Sequence, residues 1–229
     1  MRASSPLMGA RSTSRPDWPG ALARLPVRRR LLWVLALAAL VGVIGFVQPL
    51  GLLAPVDRLA MKIVAHLRWW PGAEYATGVA HLLDRAGEGG ARIGIACLVA
   101  LFLAYAGRPG AVLWLLVAAI GMALINPLVK LLFLAPRPDM LDHLIAVSSP
   151  SFPSGHAAGT MALYGALALL GRSLTLHLAC AAMIAATGAS RVWLGVHWPS
   201  DVIGGWAEGA AWLLILSIWL PRSEAARAR

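Results

Sequence analysis

Residues 111–134 read AVLWLLVAAIGMALINPLVKLLFL, and nineteen residues pass before the first charge, Lys130. A helix needs about 20 mostly apolar residues to cross the ~30 Å hydrocarbon core of a bilayer, and this run supplies them. It has company. Leu31–Leu53 carries no charge at all, and further apolar stretches occupy Ile93–Ala106, Ala157–Leu170, Leu174–Ala189 and Val202–Leu220. The expected fold is therefore all-α: an integral membrane bundle of six transmembrane helices, with spans at about 31–53, 93–106, 111–134, 157–170, 174–189 and 202–220 within a single domain, 31–221.

Composition agrees. Of 229 residues 59% are hydrophobic and only 13% charged, against about 25% charged in ordinary soluble domains; mean hydropathy is +0.72. A net charge of +10 would suggest nucleic acid if it were spread over a soluble surface, but it collects at the ends. Arg2, Arg11, Arg15, Arg24, Arg28, Arg29 and Arg30 fall in the first thirty residues, and Arg222, Arg227 and Arg229 in the last eight. Basic ends around an apolar body are a topology signal, so nucleic acid is not expected as a partner. Residues 1–30, rich in Pro, Ser, Gly and Arg, read as a disordered cytoplasmic tail, and 222–229 as a second basic tail. The run after Arg30 exceeds a signal peptide's apolar region and lacks a clear small-residue cleavage site, so it is expected to stay as the first span.

The stretch 54–91 is different. It holds Asp57, Arg58, Lys62, Arg68, Glu74, Asp84, Arg85 and Glu88, with Trp69, Trp70 and Tyr75 among them. It reads as a polar outer loop with one or two short amphipathic helices at the membrane surface, where aromatic rings are favoured. Cys97 and Cys180 lie inside apolar runs without CxxC spacing and are expected to be small buried hydrophobes. With six spans, the N-terminal tail, the Arg108 and Arg172 turns and the C-terminal tail share one side. The positive-inside rule makes that side cytoplasmic, so loops 54–91, 135–155 and 190–201 face outward across a bacterial-type inner membrane.

Those outer loops hold the chemistry. Lys130 is followed after six residues by Arg137-Pro138; Pro153-Ser154-Gly155-His156 precedes an apolar run; Ser190-Arg191 is followed after five residues by His197 and after three more by Asp201. Cations at membrane depth are costly and are placed for a reason. Lys130, Arg137 and Arg191 come from three separate span ends, and if they converge they suit a multiply charged oxyanion such as phosphate. Ser154 and Gly155 add amides at a helix start, where glycine lets the backbone approach an anion. His197 and Asp201, four apart, are within reach of one another, so the carboxylate can fix the imidazole tautomer and raise its nucleophilicity. His156 has no such neighbour in sequence and is free to serve as a proton donor. A nucleophile with its orienting acid, and a separate acid for the leaving oxygen, fit a two-step displacement at phosphorus. Taken singly, each has a plainer reading: Lys130 or Arg137 as an interface anchor, His156 as a cap, Asp201 as an acid favoured by a helix dipole. Their order and common face argue against that.

Together the three clusters resemble the K-x6-RP, PSGH and SR-x5-H-x3-D signature of the type-2 phosphatidic acid phosphatase superfamily, over residues 130–201, with every fixed position matched. The resemblance implies that His197 forms a phosphohistidine with help from Asp201 and that His156 protonates the leaving group. It further implies that Lys130, Arg137, Ser154, Gly155, Ser190 and Arg191 hold the phosphate, with no metal and no cofactor. Asp139 and Asp142 are the nearest candidate metal ligands and have no ligand-like company. His66, His81, His143 and His177 receive no role. Expected partners are the bilayer and a lipid phosphate substrate, with isoprenyl diphosphate (undecaprenyl diphosphate) and glycerophospholipid phosphate (phosphatidylglycerol phosphate, phosphatidic acid) ranked together. Lipid A 1-phosphate is the alternative, and a haloperoxidase-like enzyme or an inactive scaffold stand further off. Gly204, Gly205 and Gly209 suit close helix packing within one chain or between two, so the oligomeric state stays open.

Overall fold

The computed structural model describes residues 25–219. Both terminal tails inferred from the sequence lie almost wholly outside that range. Eight helices follow one another: α1 (Val27–Val47), α2 (Ala54–Leu67), α3 (Ala73–Gly87), α4 (Gly89–Tyr105), α5 (Pro109–Phe133), α6 (Gly155–Leu170), α7 (Leu174–Trp193) and α8 (Pro199–Leu216), closed by a 3-10 turn at Ser217–Trp219. No strand occurs among the described residues.

Every stretch expected to span is helical, but the ends differ. The first was expected to run to Leu53 and stops at Val47. Pro49 lacks an N–H and cannot extend the helical ladder beyond Gln48, and Gly51 adopts a left-handed φ of 73°. Residues 48–53 therefore form a turn, and Gln48 becomes available to the interior. The last helix begins at Pro199, three residues before the expected start, because proline suits a first turn whose N–H would be unpaired anyway. Length and composition qualify three helices as membrane spans: α1, α5, and α8 with its terminal turn. A fourth is added if α3 and α4, bent by 64° at Glu88, count as one broken span. α6, at 16 residues, falls short by this measure. Six crossings therefore stand as an expectation.

The polarity of the bundle is inverted relative to a soluble protein. Leu98, Leu101, Phe102, Leu124, Leu128 and Leu132 point outward, Leu132 with 76% of its surface exposed. Charged side chains are inside: Arg191 and His197 are 2% exposed and Asp201 is wholly buried. Cys97 also faces outward on α4, where an apolar thiol suits an apolar surround, so only Cys180 is buried as expected. An apolar core of Leu103, Trp114, Leu115, Leu163, Leu213 and Leu216 joins α4, α5, α6 and α8.

At the centre, α8 lies directly on α6. A Cβ on Gly205 would meet Ser154 O at 2.5 Å, and one on Gly209 would meet Ala158 O at 2.5 Å. Only glycine allows two backbones so close. Gly204 is filled in turn by the Phe152 ring. All three glycines therefore serve packing within the chain.

Two ends are distinct. At one, Arg30 NH1 donates to Ser217 O at 2.7 Å, and Arg108 NH2 donates to Leu170 O at 3.4 Å beside the Gly171-Arg172 turn. The other end gathers the three sequence clusters.

Candidate active site

Each cluster sits where a helix starts or stops. Lys130 lies in the last turn of α5, which ends at Leu134 in a left-handed conformation, φ 48°. The chain from 135 to 154 then folds back over the helix ends, with Ser151 N donating to Ala135 O at 2.8 Å and Ser154 N donating to Asp201 O at 3.0 Å. This returns Gly155 and His156 to the first turn of α6, beside Lys130. A Cβ on Gly155 would lie 2.7 Å from Asn126 Oδ1, so the glycine answers a close approach from α5.

The third cluster depends on one turn. α7 ends with Gly195 N donating to Val192 O at 3.0 Å and Val196 N donating to Arg191 O at 3.2 Å, with Gly195 at φ 78°. This is the pattern of a Schellman cap, in which a glycine reverses the chain and satisfies the last carbonyls. The reversal folds His197 back beneath Arg191.

His197 is met at both ring nitrogens. Its Nδ1 lies 3.3 Å from Asp201 Oδ2 and 3.2 Å from Ser151 Oγ. Its Nε2 lies 3.4 Å from Arg137 NH1. A guanidinium can only donate, so Nε2 offers a lone pair and Nδ1 carries the proton. Burial pushes the His197 imidazole far below its ordinary value, to about 3, against the pull of Asp201. The ring is neutral with its lone pair on Nε2, facing the Arg137 guanidinium at the cavity, the tautomer that a nucleophile requires. Asp201 is not spaced from it by a helical turn, since His197 precedes α8. Instead Asp201 is the third residue of the helix and accepts Trp198 N at 2.8 Å, thereby capping α8 as well. Its carboxylate also accepts Ser151 Oγ at 2.5 Å and Gln48 Nε2 at 2.8 Å. Behind it, Asp57 accepts Ser200 N at 3.0 Å and Ser200 Oγ at 2.6 Å, and burial raises the Asp57 pKa against those bonds.

His156 is not without a partner, contrary to the sequence reading. Its Nε2 lies 3.1 Å from Asp84 Oδ1 and 3.1 Å from Asp84 O, both acceptors, so that nitrogen carries a proton. Asp84 comes from α3, and its carboxylate also pairs with Arg191 NH1. Gly87, one turn later, lets the His156 ring pack against α3.

A cavity of about 320 Å³ lies between these groups, lined by Gly89, Arg92, Asn126, Pro127, Lys130, Arg137, Val147, Ser148, Ser149, Gly155, His156, Arg191 and His197. Six residues expected from sequence face it: Lys130, Arg137, Gly155, His156, Arg191 and His197. Three do not. Asp201 stands behind His197, Ser154 is fully buried, and Ser190 donates its hydroxyl to Thr187 O at 2.7 Å. Lys130 Nζ rests on Pro150 O and, at 3.3 Å, on Ser151 O. Arg137 donates to Ser149 O at 3.0 Å and Val196 O at 2.6 Å; burial, with Arg191 nearby, lowers its pKa. Among the described residues no three of His, Cys, Asp and Glu converge as a metal site would need. His66, His81, His143 and His177 stay clear of the cavity.

Sequence reasoning missed Asp84, Arg92, Ser151 and Gln48. Arg92 stands directly before the apolar run that starts at Ile93, outside its bounds. Ser151 sits just ahead of the PSGH cluster, in a hydroxyl-rich run that was a usable signal. Asp84 was one charge among eight in its segment, with nothing local to mark it.

A family model described as the PAP2 superfamily matches residues 111–225. The chain is 34% identical over 98 residues to undecaprenyl-diphosphatase BcrC of Bacillus subtilis (strain 168), covering 41% of this chain and 49% of the relative. It is 44% identical over 73 residues to lipid A 1-phosphatase of Rhizobium johnstonii, covering 31% of this chain and 29% of the relative. The matched stretch thus spans half or less of either relative. The fold is similar to the crystal structure of a transmembrane PAP2-type phosphatidylglycerolphosphate phosphatase from Bacillus subtilis, with a TM-score of 0.71 at 22% identity over 81% of this chain and 94% of that one.

Proposed function

The chain belongs to the PAP2 superfamily, and on that footing we propose that it is a membrane phosphatase that removes the terminal phosphate of a lipid phosphate or diphosphate through a phosphohistidine. One observation carries the reading: two histidines face one cation-lined cavity, each with its own carboxylate, His197 with Asp201 and His156 with Asp84. Lys130, Arg137, Arg191 and the first amides of α6 receive the phosphate oxygens. Phosphate here displaces the loop carbonyls that now occupy Lys130 and Arg137.

In the first step His197 Nε2 attacks phosphorus. The bond to the leaving oxygen breaks, and its electron pair stays with that oxygen. His156, as an imidazolium held by Asp84, gives the oxygen a proton. Positive charge developing on the His197 ring is met by Asp201. In the second step His156, now neutral, takes a proton from water as the water attacks the phosphohistidine, releasing inorganic phosphate and restoring both rings. No step needs a metal, because the cations supply the charge and the histidine supplies the nucleophile.

The chain is proposed to cross the membrane six times, by α1, α4, α5, α6, α7 and α8, with the site at the extracytoplasmic end of an inner membrane. The gathering of Arg30, Arg108 and Arg172 at the opposite end supports this orientation. The substrate's hydrocarbon tail remains among the helices while its head enters the cavity. The two relatives and the structural neighbour carry names with three different lipid heads, so similarity alone does not choose among them.

The test is phosphate release by purified protein in detergent from a panel of lipid phosphates and diphosphates, with EDTA present. Release is expected with EDTA, together with acid-labile, base-stable phosphate on His197 in rapidly quenched samples. No release from any lipid, or release abolished by EDTA, defeats the proposal.

A further inference from the structure

Arg92 is a half-buried cation that the mechanism above does not use. It lies in the first turn of α4, next to the bend at Glu88. Its NH1 donates to Gly155 O at 2.7 Å, and its guanidinium lies flat over Gly159, where any Cβ would collide with it. NH2 extends toward Gly89 at the cavity edge. Among the described residues it has no carboxylate partner, unlike Arg191, which is paired with Asp84. An unpaired guanidinium at membrane depth is costly. Here one nitrogen is occupied, and the residue lines a cavity that also exposes His156, with NH2 on the Gly89 side.

Charge and position together say what it faces. A terminal phosphate monoester carries about two negative charges near neutral pH. Lys130, Arg137, Arg191 and the His156 imidazolium, less the charge of Asp84, already cover those two. Asp201 faces the far nitrogen of His197 and is engaged there. Arg92 is then surplus for a substrate whose leaving group is an alcohol. It also rests on the first turn of α6, which carries His156, the residue at the leaving oxygen, whereas Arg137 stands by the nucleophile.

Resting on the phosphatase reading, we propose that Arg92 binds a second phosphoryl group on the leaving side, so that the favoured substrate class is a lipid diphosphate. In that reaction His197 Nε2 bonds to the terminal phosphorus as the bond to the bridging oxygen breaks. The electron pair stays on the bridging oxygen, which takes the proton of His156 as in the general reaction, and the product leaving the site is the lipid monophosphate. Arg92 meets the remaining charge of that phosphoryl group through a forked, charge-assisted contact.

The experiment compares kcat/KM for a polyprenyl diphosphate and for phosphatidic acid, in detergent with EDTA, using wild type, R92Q and R92K. Wild type is expected to favour the diphosphate. R92Q is expected to lower the ratio of the two kcat/KM values by about 10- to 100-fold, the worth of one charge-assisted contact. R92K keeps the charge but loses the fork, so it should shift the ratio in the same direction and less far; it carries the comparison if R92Q does not fold. Equal losses on both lipids, or a wild type that favours phosphatidic acid, overturn the assignment of Arg92 while leaving the phosphatase reading intact. A wild type that releases phosphate from neither lipid overturns this inference, and the phosphatase reading falls with it only when the whole panel of lipid phosphates fails as well.

Discussion

The two histidine–carboxylate pairs facing the cavity are built in opposite ways. His197 and Asp201 are four residues apart, joined by a turn and the first residues of α8, and both are sealed from solvent. His156 and Asp84 are 72 residues apart, on α6 and α3, and the His156 side chain keeps 22% of its surface open. One pair is local and rigid, the other long-range and open to the cavity. A nucleophile needs a fixed tautomer and a dry surround. An acid must exchange protons with water between the two chemical steps, so its pair sits at the open side.

Removing the local pair should have the largest effect. His197→Ala is expected to abolish turnover, because the other imidazole at the cavity, His156, is tied to Asp84 on the leaving side; wild-type turnover would reassign the nucleophile. Asp201→Ala should leave a trace, a loss of about 10²- to 10⁴-fold in kcat. The long-range pair makes a different prediction. Asp84→Asn should lower kcat on phosphatidic acid by about 10²-fold, and much less on p-nitrophenyl phosphate, whose leaving group needs no proton. Equal losses on the two substrates would mean that Asp84 only steadies Arg191. Smaller again are the groups around Asp201. Ser151→Ala should cost about 10-fold in kcat and Gln48→Leu only a few-fold, each the worth of one hydrogen bond, both with KM little changed. The last prediction concerns charge. In the free protein the His197 ring should remain neutral as pH falls through about 6.5, where an ordinary histidine takes up a proton. Its lowered pKa places protonation well below that, near 3. NMR of labelled histidine checks this, and protonation at the ordinary value would mean that the ring is not sealed.

The same contrast explains what could be read from sequence. Lys130, Arg137, Gly155, His156, Arg191, His197 and Asp201 lie at fixed short spacings beside helix ends, so local pattern was enough to find them. Six helices followed from apolar runs, although Pro49 and Gly51 end the first one earlier than hydropathy suggested. Asp84 and Arg92 could not be found this way. Their role arises only when α3 and α4 bend at Glu88 and lay both side chains against α6, a tertiary event with no local spacing. Gln48 was hidden for the opposite reason, being read as part of an apolar span when it belongs to a turn. Ser190 shows the limit of a matched pattern, since its hydroxyl is spent on its own helix.

The glycine contact between α6 and α8 has a consequence for how the protein meets lipids of different kinds. His156 opens α6 and His197 immediately precedes α8, and these helices touch backbone to backbone at Gly205 and Gly209. In the proposed reaction the interval between attacking nitrogen and leaving oxygen is therefore gauged by main chain, and the length of that path is the same whichever lipid carries the phosphate.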